Sequence, residues 1–256
     1  MAEWLYGRHA VEEALRAGRR KILRVLLAEG VKGQKLDEPA GRLGGIETLA
    51  RAAHVSVERM PAARLDALSR VGRHHQGVIA EAGPFSYTPL PEVVRMCREA
   101  RNDALVLILD SIQDPQNFGT LLRSAEAVGV TAVVMLDRRQ VEVTPAVVNA
   151  SAGAVEHLYV CRANNLPRAV TELKGAGLWV YALQAEPGAT PHTEADLRGP
   201  LGLVVGSEGQ GVGRLVRERC DGAIALPMRG KVESLNAAVA GSVALYEALR
   251  QRTLPK

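Results

Sequence analysis

Apolar residues fall along this chain in short runs, and the stretches between most of them carry a helical period. From residue 104 onward the runs are ALVLILD, AVVMLD, HLYVCR, LWVYALQ, LGLVVGS and GAIALPM. Runs without polar alternation predict strands buried on both faces of a parallel sheet. The helical stretches between them predict βαβ units. The first third reads differently. GRHAVEEALRAG sets Ala10, Val11, Ala14 and Leu15 at helical spacing, and Gly18 stops it. KILRVLLAEG, HVSVERM and GVIAEA predict strands, IETLARAA a helix, and PAARLDALS a helix with Pro61 at its first position. Together these form a compact α/β/α layer.

Three prolines, Pro84, Pro89 and Pro91, interrupt the pattern. Proline fixes φ and donates no hydrogen bond, so this stretch predicts a linker. The expected division is a small α/β domain over 1–83, a linker and short helix over 84–103, and a second α/β domain over 104–256.

Composition narrows the class. The chain is 47% hydrophobic but only 4% aromatic, so its cores are aliphatic. No apolar run of about 18 residues predicts a transmembrane helix. The N-terminal stretch MAEWLYGRHAVEEALRAG is charged throughout and lacks the apolar centre of a secretion signal, so a cytoplasmic protein is expected. Cys97, Cys161 and Cys220 are odd in number and far apart, which fits free thiols rather than a disulfide framework or a zinc site. His74 and His75 lack further spaced ligands, so no metal is expected. Net charge is +4, and its placement matters more than its size. Residues 1–83 hold 14 Lys and Arg against 10 Asp and Glu, whereas the remainder holds 18 of each sign. A polyanion would meet the first domain, where RVGRHHQ (residues 70–76) gathers Arg70, Arg73, His74 and His75.

Three places in the second domain hold polar residues that packing does not require. In DPQNFGTLLRSAEAVGV, residues 114–130, a helix is predicted from about Phe118, with Asn117 as its cap and Arg123 off its apolar face. LVVGSEGQGVG, residues 203–213, follows a strand with Gly206, Gly209, Gly211 and Gly213. Their spacing is neither the dinucleotide fingerprint nor a P-loop, which speaks against a nicotinamide-dependent dehydrogenase. Glu208 within the loop argues for a cationic or hydroxyl-bearing ligand rather than a phosphate. In ALPMRGKVESLNAAVAGSVALYEALR, residues 225–250, Ser234 and Asn236 open a long helix of small residues. Each also has an ordinary explanation: a cap, a flexible turn, a capped core helix.

Their order is more specific. N-x-G-x-x-x-R, then G-S-E-G-x-G, then P-M-x-x-x-x-E-S-L-N-A-A-V-A resembles the SpoU/TrmH-type 2′-O-ribose methyltransferases of the SPOUT class, over roughly residues 104–252. YGRHAVEEALRAG and RHHQGVIA resemble the L30e-like RNA-binding extension of the bacterial 23S rRNA guanosine subgroup. The resemblance implies a C-terminal α/β-knot domain whose parallel sheet is tied in a trefoil knot, and S-adenosylmethionine held bent among three loops. Matching positions put Ala182 and Leu183 in the first loop, Gly206 in the second, and Leu226, Met228 and Leu235 in the third. Backbone groups of Gly206, Leu226 and Leu235 would hold the adenine and ribose of the donor. Asn117, Arg123, Glu208, Ser234 and Asn236 would serve the acceptor. Arg123 is implied to stabilise the developing alkoxide, since a guanidinium barely loses its proton. The resemblance further implies a homodimer through the C-terminal domain, 23S rRNA as partner, and an RNA grip at Arg70, Arg73, His74 and His75. A tRNA 2′-O-methyltransferase and an inactive RNA-binding relative are the alternatives.

Overall fold

The apolar runs sort into two sheets. The computed structural model describes residues 2–29, 42–69, 71–138, 140–231 and 234–254. One unit comprises Met1–Ser86 with Val143–His157, the other Tyr87–Glu142 with Leu158–Lys256.

In the first unit β1 (Glu3–Tyr6), α1 (Arg8–Ala17), β2 (Ile22–Ala28), α2 (Arg42–Ala52), β3 (Ser56–Met60), α3 (Ala62–Ser69) and β4 (Val78–Ala82) follow in order. The sheet runs β1-β4-β2-β3, with only β2 and β3 parallel. The helix expected at GRHAVEEALRAG is α1. It buries Ala10, Val11, Ala14 and Leu15 and ends on Gly18 in a left-handed conformation. Strand β1 was not expected; its four residues lie inside a charged stretch, and only Leu5 is buried. Pro61 precedes α3 rather than opening it.

The second unit begins with α4 (Leu90–Ala100), β5 (Leu105–Asp110), α5 (Pro115–Ala127) and β6 (Ala132–Leu136). Helix α4, at the place of the short helix expected within 84–103, buries Val93, Val94 and Cys97 in this unit's core. After β6 the segment with α6 (Pro145–Ala150) groups with the first unit. There the Asn149 amide donates to the Tyr6 carbonyl at 3.1 Å. The Arg20 guanidinium, buried, lies 3.2 Å from Glu3 and 3.4 Å from Glu156. Burial pushes the Glu156 carboxyl up, and the Arg20 charge opposes the shift.

The second unit resumes with β7 (Val160–Ala163), α7 (Leu166–Lys174), β8 (Trp179–Leu183), β9 (Thr190–Pro191), β10 (Leu201–Gly206), α8 (Arg214–Arg217), β11 (Gly222–Ala225) and α9 (Ala237–Thr253). The sheet order is β7-β6-β5-β10-β8-β11-β9, all parallel. Every residue of β5 and of β10 is buried, as unalternated runs require. From β5 the chain steps outward through β6 and β7, then returns to the far side at β8, and β10 closes the gap. Strand order therefore reverses beside β5. Open parallel sheets form their ligand crevice at the carboxyl ends of strands at such a reversal.

Helix α9 lies against this point. A Cβ at Gly241 would come 2.5 Å from Leu121 Cδ2 on α5 and 3.1 Å from Val205 Cγ2 on β10. The small residues thus allow α9 to approach α5 closely, and the Ser124 and Ser242 hydroxyls hydrogen-bond at 2.7 Å. At its other end Gln251 accepts from Leu197 N and donates to the Ala195 carbonyl and to Glu247. The Arg250 guanidinium, with Gln251, lowers the Glu247 carboxyl to about 2 from the ordinary 4.5. A depressed carboxyl stabilises the fold above the ordinary value and loses that contribution as pH falls towards the depressed one. Denaturant unfolding of the wild type between pH 4.5 and 2 is expected to lose stability more steeply than Glu247→Gln. Equal slopes would remove the ion pair from the stability of α9.

Burial pushes the thiols of Cys97 and Cys161 up to about 11 and that of Cys220 to about 12, so all three are poor nucleophiles at neutral pH. Among the described residues no helix is long and apolar enough to cross a membrane, and no group of three His, Cys, Asp or Glu could hold a metal ion.

Candidate functional site

Three loops leave the carboxyl ends of β5, β10 and β11, and their polar residues meet. Helix α5 starts two residues before Asn117. Its cap is Asp114, whose Oδ1 accepts from Asn117 N at 2.7 Å, with Pro115 at the first helical position. The expectation that Asn117 caps this helix is therefore corrected. Released from capping, the Asn117 side chain donates through Nδ2 to Glu208 Oε1 at 3.0 Å. Asn236 Nδ2 donates to the same oxygen at 2.5 Å and to Asn117 Oδ1 at 2.8 Å. Asn236 also caps α9, its Oδ1 accepting from Ala238 N at 2.9 Å and Val239 N at 3.2 Å. One carboxylate and two amides thus join residues 117, 208 and 236, each predicted separately from sequence.

The glycine loop is fastened at both ends. A Cβ at Gly206 would lie 2.1 Å from the Gly211 carbonyl, so the loop folds back against its own first residue. Gly211 N donates to the Ser207 carbonyl at 2.9 Å. Asp110, buried at the end of β5, accepts from Gly213 N at 2.8 Å through Oδ2 and from the Ser111 hydroxyl at 3.1 Å through Oδ1. Gln184 Oε1 accepts from Val212 N at 3.2 Å. Neither Asp110 nor Gln184 was expected in the site. Asp110 reads as the last residue of an apolar strand, and only its polarity in that position could have marked it. Ser111 has φ +64°, a left-handed conformation that non-glycine residues hold mostly where the surroundings enforce it.

A cleft of about 410 Å³ lies over these loops. Leu183, Gly206, Leu226, Met228 and Leu235 line it, as do Gln184 and Ser234. Ala182 does not; it is fully buried in β8 and packs in the core. Glu208, Gln210, Ser207 and Ala237 line this cleft and also a second cavity of about 350 Å³, which opens towards residues 111–114 and Asn117. Arg123 lines neither. It is exposed on α5, and among the described residues its guanidinium has no hydrogen-bond or ion-pair partner.

Of the residues expected to grip RNA in the first unit, Arg70 and the side chain of Arg73 lie outside the described residues. His74 is exposed. His75 is a correction: it is buried, its Nδ1 accepts from Gly77 N at 2.9 Å, and its Nε2 lies 3.0 Å from Asp66 Oδ1. Since Nδ1 accepts, Nε2 carries the proton and donates to Asp66. Both ring nitrogens shape the turn and none is left for a ligand. Gln76 is held to α1, its carbonyl accepting from Arg8 Nε at 3.1 Å.

Comparison with known proteins bears on both units. Residues 104–246 match the SpoU rRNA Methylase family, and residues 4–88 match the family model for RNA 2′-O ribose methyltransferase substrate binding. A relative from Staphylococcus aureus, named "Putative TrmH family tRNA/rRNA methyltransferase", is 40% identical over 97% of this chain and 96% of its own length. Among solved structures, an RNA 2′-O ribose methyltransferase is 30% identical with TM-score 0.74, covering 98% of this chain and 89% of that one. The SpoU methyltransferase AviRb from Streptomyces viridochromogenes, in complex with AdoMet, superposes with TM-score 0.76 at 23% identity, over 97% of this chain and 90% of that one. That likeness shows a shared α/β fold. By the family match over more than half its length and by this relative, the chain belongs to the SpoU family of RNA 2′-O-ribose methyltransferases.

Proposed function

We propose that this protein transfers the methyl group of S-adenosylmethionine to a ribose 2′-hydroxyl of RNA, with a guanosine of 23S rRNA as acceptor. The observation that carries the reading is the network in which Asn117 and Asn236 hold Glu208, which lines a cleft together with Gly206, Leu226, Met228 and Leu235. The cleft suits this donor in size, since pockets for such molecules run from about 300 to 1,000 Å³. It suits it in charge too: the Glu208 carboxylate in its lining complements a sulfonium. The Gly206 backbone, bare of a side chain, lets the glycine loop fold back against it and form the main-chain wall of the cleft. Leu183, Gly206, Leu226, Met228 and Leu235 would hold the donor, with main-chain groups of Gly206, Leu226 and Leu235 on its adenine and ribose. The bound donor supplies an electrophilic methyl group.

The protein's own groups prepare the acceptor. Asn117 and Asn236 hold the Glu208 carboxylate in place, and Ser234 at the cleft edge, with these amides, orients the acceptor ribose. Arg123 grips the neighbouring phosphate and stabilises charge developing on the 2′-oxygen, whose proton passes to water or to that phosphate as the methyl group leaves sulfur. The exposed side chains Val239, Val243 and Tyr246 recur at i, i+4 and i+7 on α9, a stripe that supports a homodimer through the C-terminal unit. In that dimer Arg123 reaches a site shared by both chains. The basic first unit, with Arg70, Arg73 and His74, supplies phosphate contacts that position the RNA.

The test is methyl transfer from labelled S-adenosylmethionine to ribosomal and transfer RNA purified from cells lacking the protein, followed by mapping of 2′-O-methyl riboses. One labelled guanosine in 23S rRNA is expected. Label confined to tRNA would replace the acceptor, and no label in either fraction would overturn the reading.

A further inference from the structure

We propose that the second cavity of this unit, beside the donor cleft, takes the acceptor nucleoside itself, base and ribose, while excluding its phosphates. This rests on the methyl-transfer reading above and names what the site receives.

The cavity measures about 350 Å³, within the range that holds a small organic molecule. It meets the donor cleft across a shared wall of Ser207, Glu208, Gln210 and Ala237. A ribose oxygen placed at that wall lies next to the cleft without entering it. The rest of the lining is unusual in its charge. Asp114 and Glu208 contribute carboxylates, Gln113, Asn117 and Gln210 amides, and Ser111 and Ser207 hydroxyls, with no Lys, Arg or His among them. A phosphate there would meet two carboxylates and no cation. A neutral nucleoside, whose sugar hydroxyls and base N–H groups donate hydrogen bonds, meets acceptors.

The cavity is built in advance. Ile112 N donates to Gln140 Oε1 at 2.7 Å, and the Ile112 carbonyl accepts from Val141 N at 3.1 Å. Asp110 holds the Ser111 hydroxyl, and Asp114 Oδ1 is spent on the cap of α5. Among the described residues Asp114 Oδ2 has no hydrogen-bond partner, so it remains as an acceptor, and Asp114 lines this cavity but not the donor cleft. Ribose at the shared wall therefore puts the base against Gln113 and Asp114, and a base edge bearing N–H donors fits there. Such a base must leave its stack to enter, which single-stranded RNA loops allow. The phosphates stay outside the cavity.

Gln113 is exposed and lines this cavity but not the donor cleft, so Gln113→Trp fills one and spares the other. With the full chain, labelled S-adenosylmethionine and the ribosomal and transfer RNA fractions, Gln113→Trp is expected to lower kcat/KM at least about tenfold while calorimetric donor affinity stays within about twofold. Ultraviolet crosslinking of wild-type protein to the methylated RNA fraction provides a second measure, with the crosslinked peptide expected to span residues 111–114. Wild-type transfer by a folded Gln113→Trp, or crosslinks found only elsewhere, overturns the assignment of the cavity. No transfer by the wild type to either fraction overturns the methyl-transfer reading and this one with it, a result distinct from the first two.

Discussion

Arg123→Ala is expected to lower the rate of methyl transfer by about 10²–10³-fold and leave donor affinity unchanged within about threefold. A ribose hydroxyl is a weak nucleophile at neutral pH, and its attack builds negative charge on oxygen. A guanidinium keeps its proton, so its contribution is to hold the adjacent phosphate and offset that charge. Arg123 has the freedom this requires: it is exposed, and among the described residues nothing pairs with it. Six residues at 1.5 Å each put it about 9 Å along α5 from Asn117, and it lines neither cavity. A second copy docked on the Val239, Val243 and Tyr246 stripe would give it a site to complete. Single-turnover transfer separates the chemical step from binding, and calorimetry reads donor affinity. Mixing Arg123→Ala with Glu208→Ala subunits then tests the shared site. Half of randomly paired dimers carry one of each, with one intact site between them, so about a quarter of wild-type activity is expected. Unchanged turnover in Arg123→Ala would end the role given to this side chain, and a silent mixture would confine it to its own chain.

How much of this was legible in the sequence depended on range. Unalternated runs such as LVLILD and LGLVVG announced buried parallel strands because local burial leaves a local pattern. The four residues of β1, mostly part-exposed and set among charges, left none. Val143–His157 reads as a plain stretch of the second domain, yet it groups with the first unit through Asn149 and Glu156, contacts more than 130 residues distant in sequence. No period in a sequence reports such pairing, and the passage of the chain that would tie a knot is equally silent. The candidate site was legible residue by residue: Asn117, Glu208 and Asn236, which hydrogen-bond to one another, stood out because packing had no use for them. Their roles were less so. D-P-x-N offered two capping residues, and Pro115 at the first helical position was the signal favouring Asp114. His75 looked like part of a basic turn, because burial of one histidine beside an exposed one has no sequence mark.

Gly206→Ala is expected to weaken donor binding at least about tenfold, or roughly 1.4 kcal/mol, and to lower the melting temperature. The backbone at Gly206 is not left-handed, so alanine's conformation is allowed there. Space alone demands glycine. The added carbon would lie 2.1 Å from the Gly211 carbonyl carbon and oxygen and 2.4 Å from Val212 N, all main-chain atoms that no rotamer change can move aside. Relief requires the loop to swing away from β10, which withdraws the main-chain wall of the cleft and carries Glu208 from Asn117 and Asn236. Overpacking of this kind costs about 1–3 kcal/mol. Gly209→Ala separates this clash from mere backbone strain. Its φ is +84° but nothing lies within 4 Å of an added Cβ, so it bears only the left-handed penalty of about 1–2 kcal/mol. Since no atom blocks its side chain, its donor affinity is expected to fall less than that of Gly206→Ala. Calorimetric titration of both variants with S-adenosylmethionine decides the matter. Wild-type affinity in a folded Gly206→Ala would mean that the donor does not rest on this loop, and the glycines after β10 would be left with a purely structural reason.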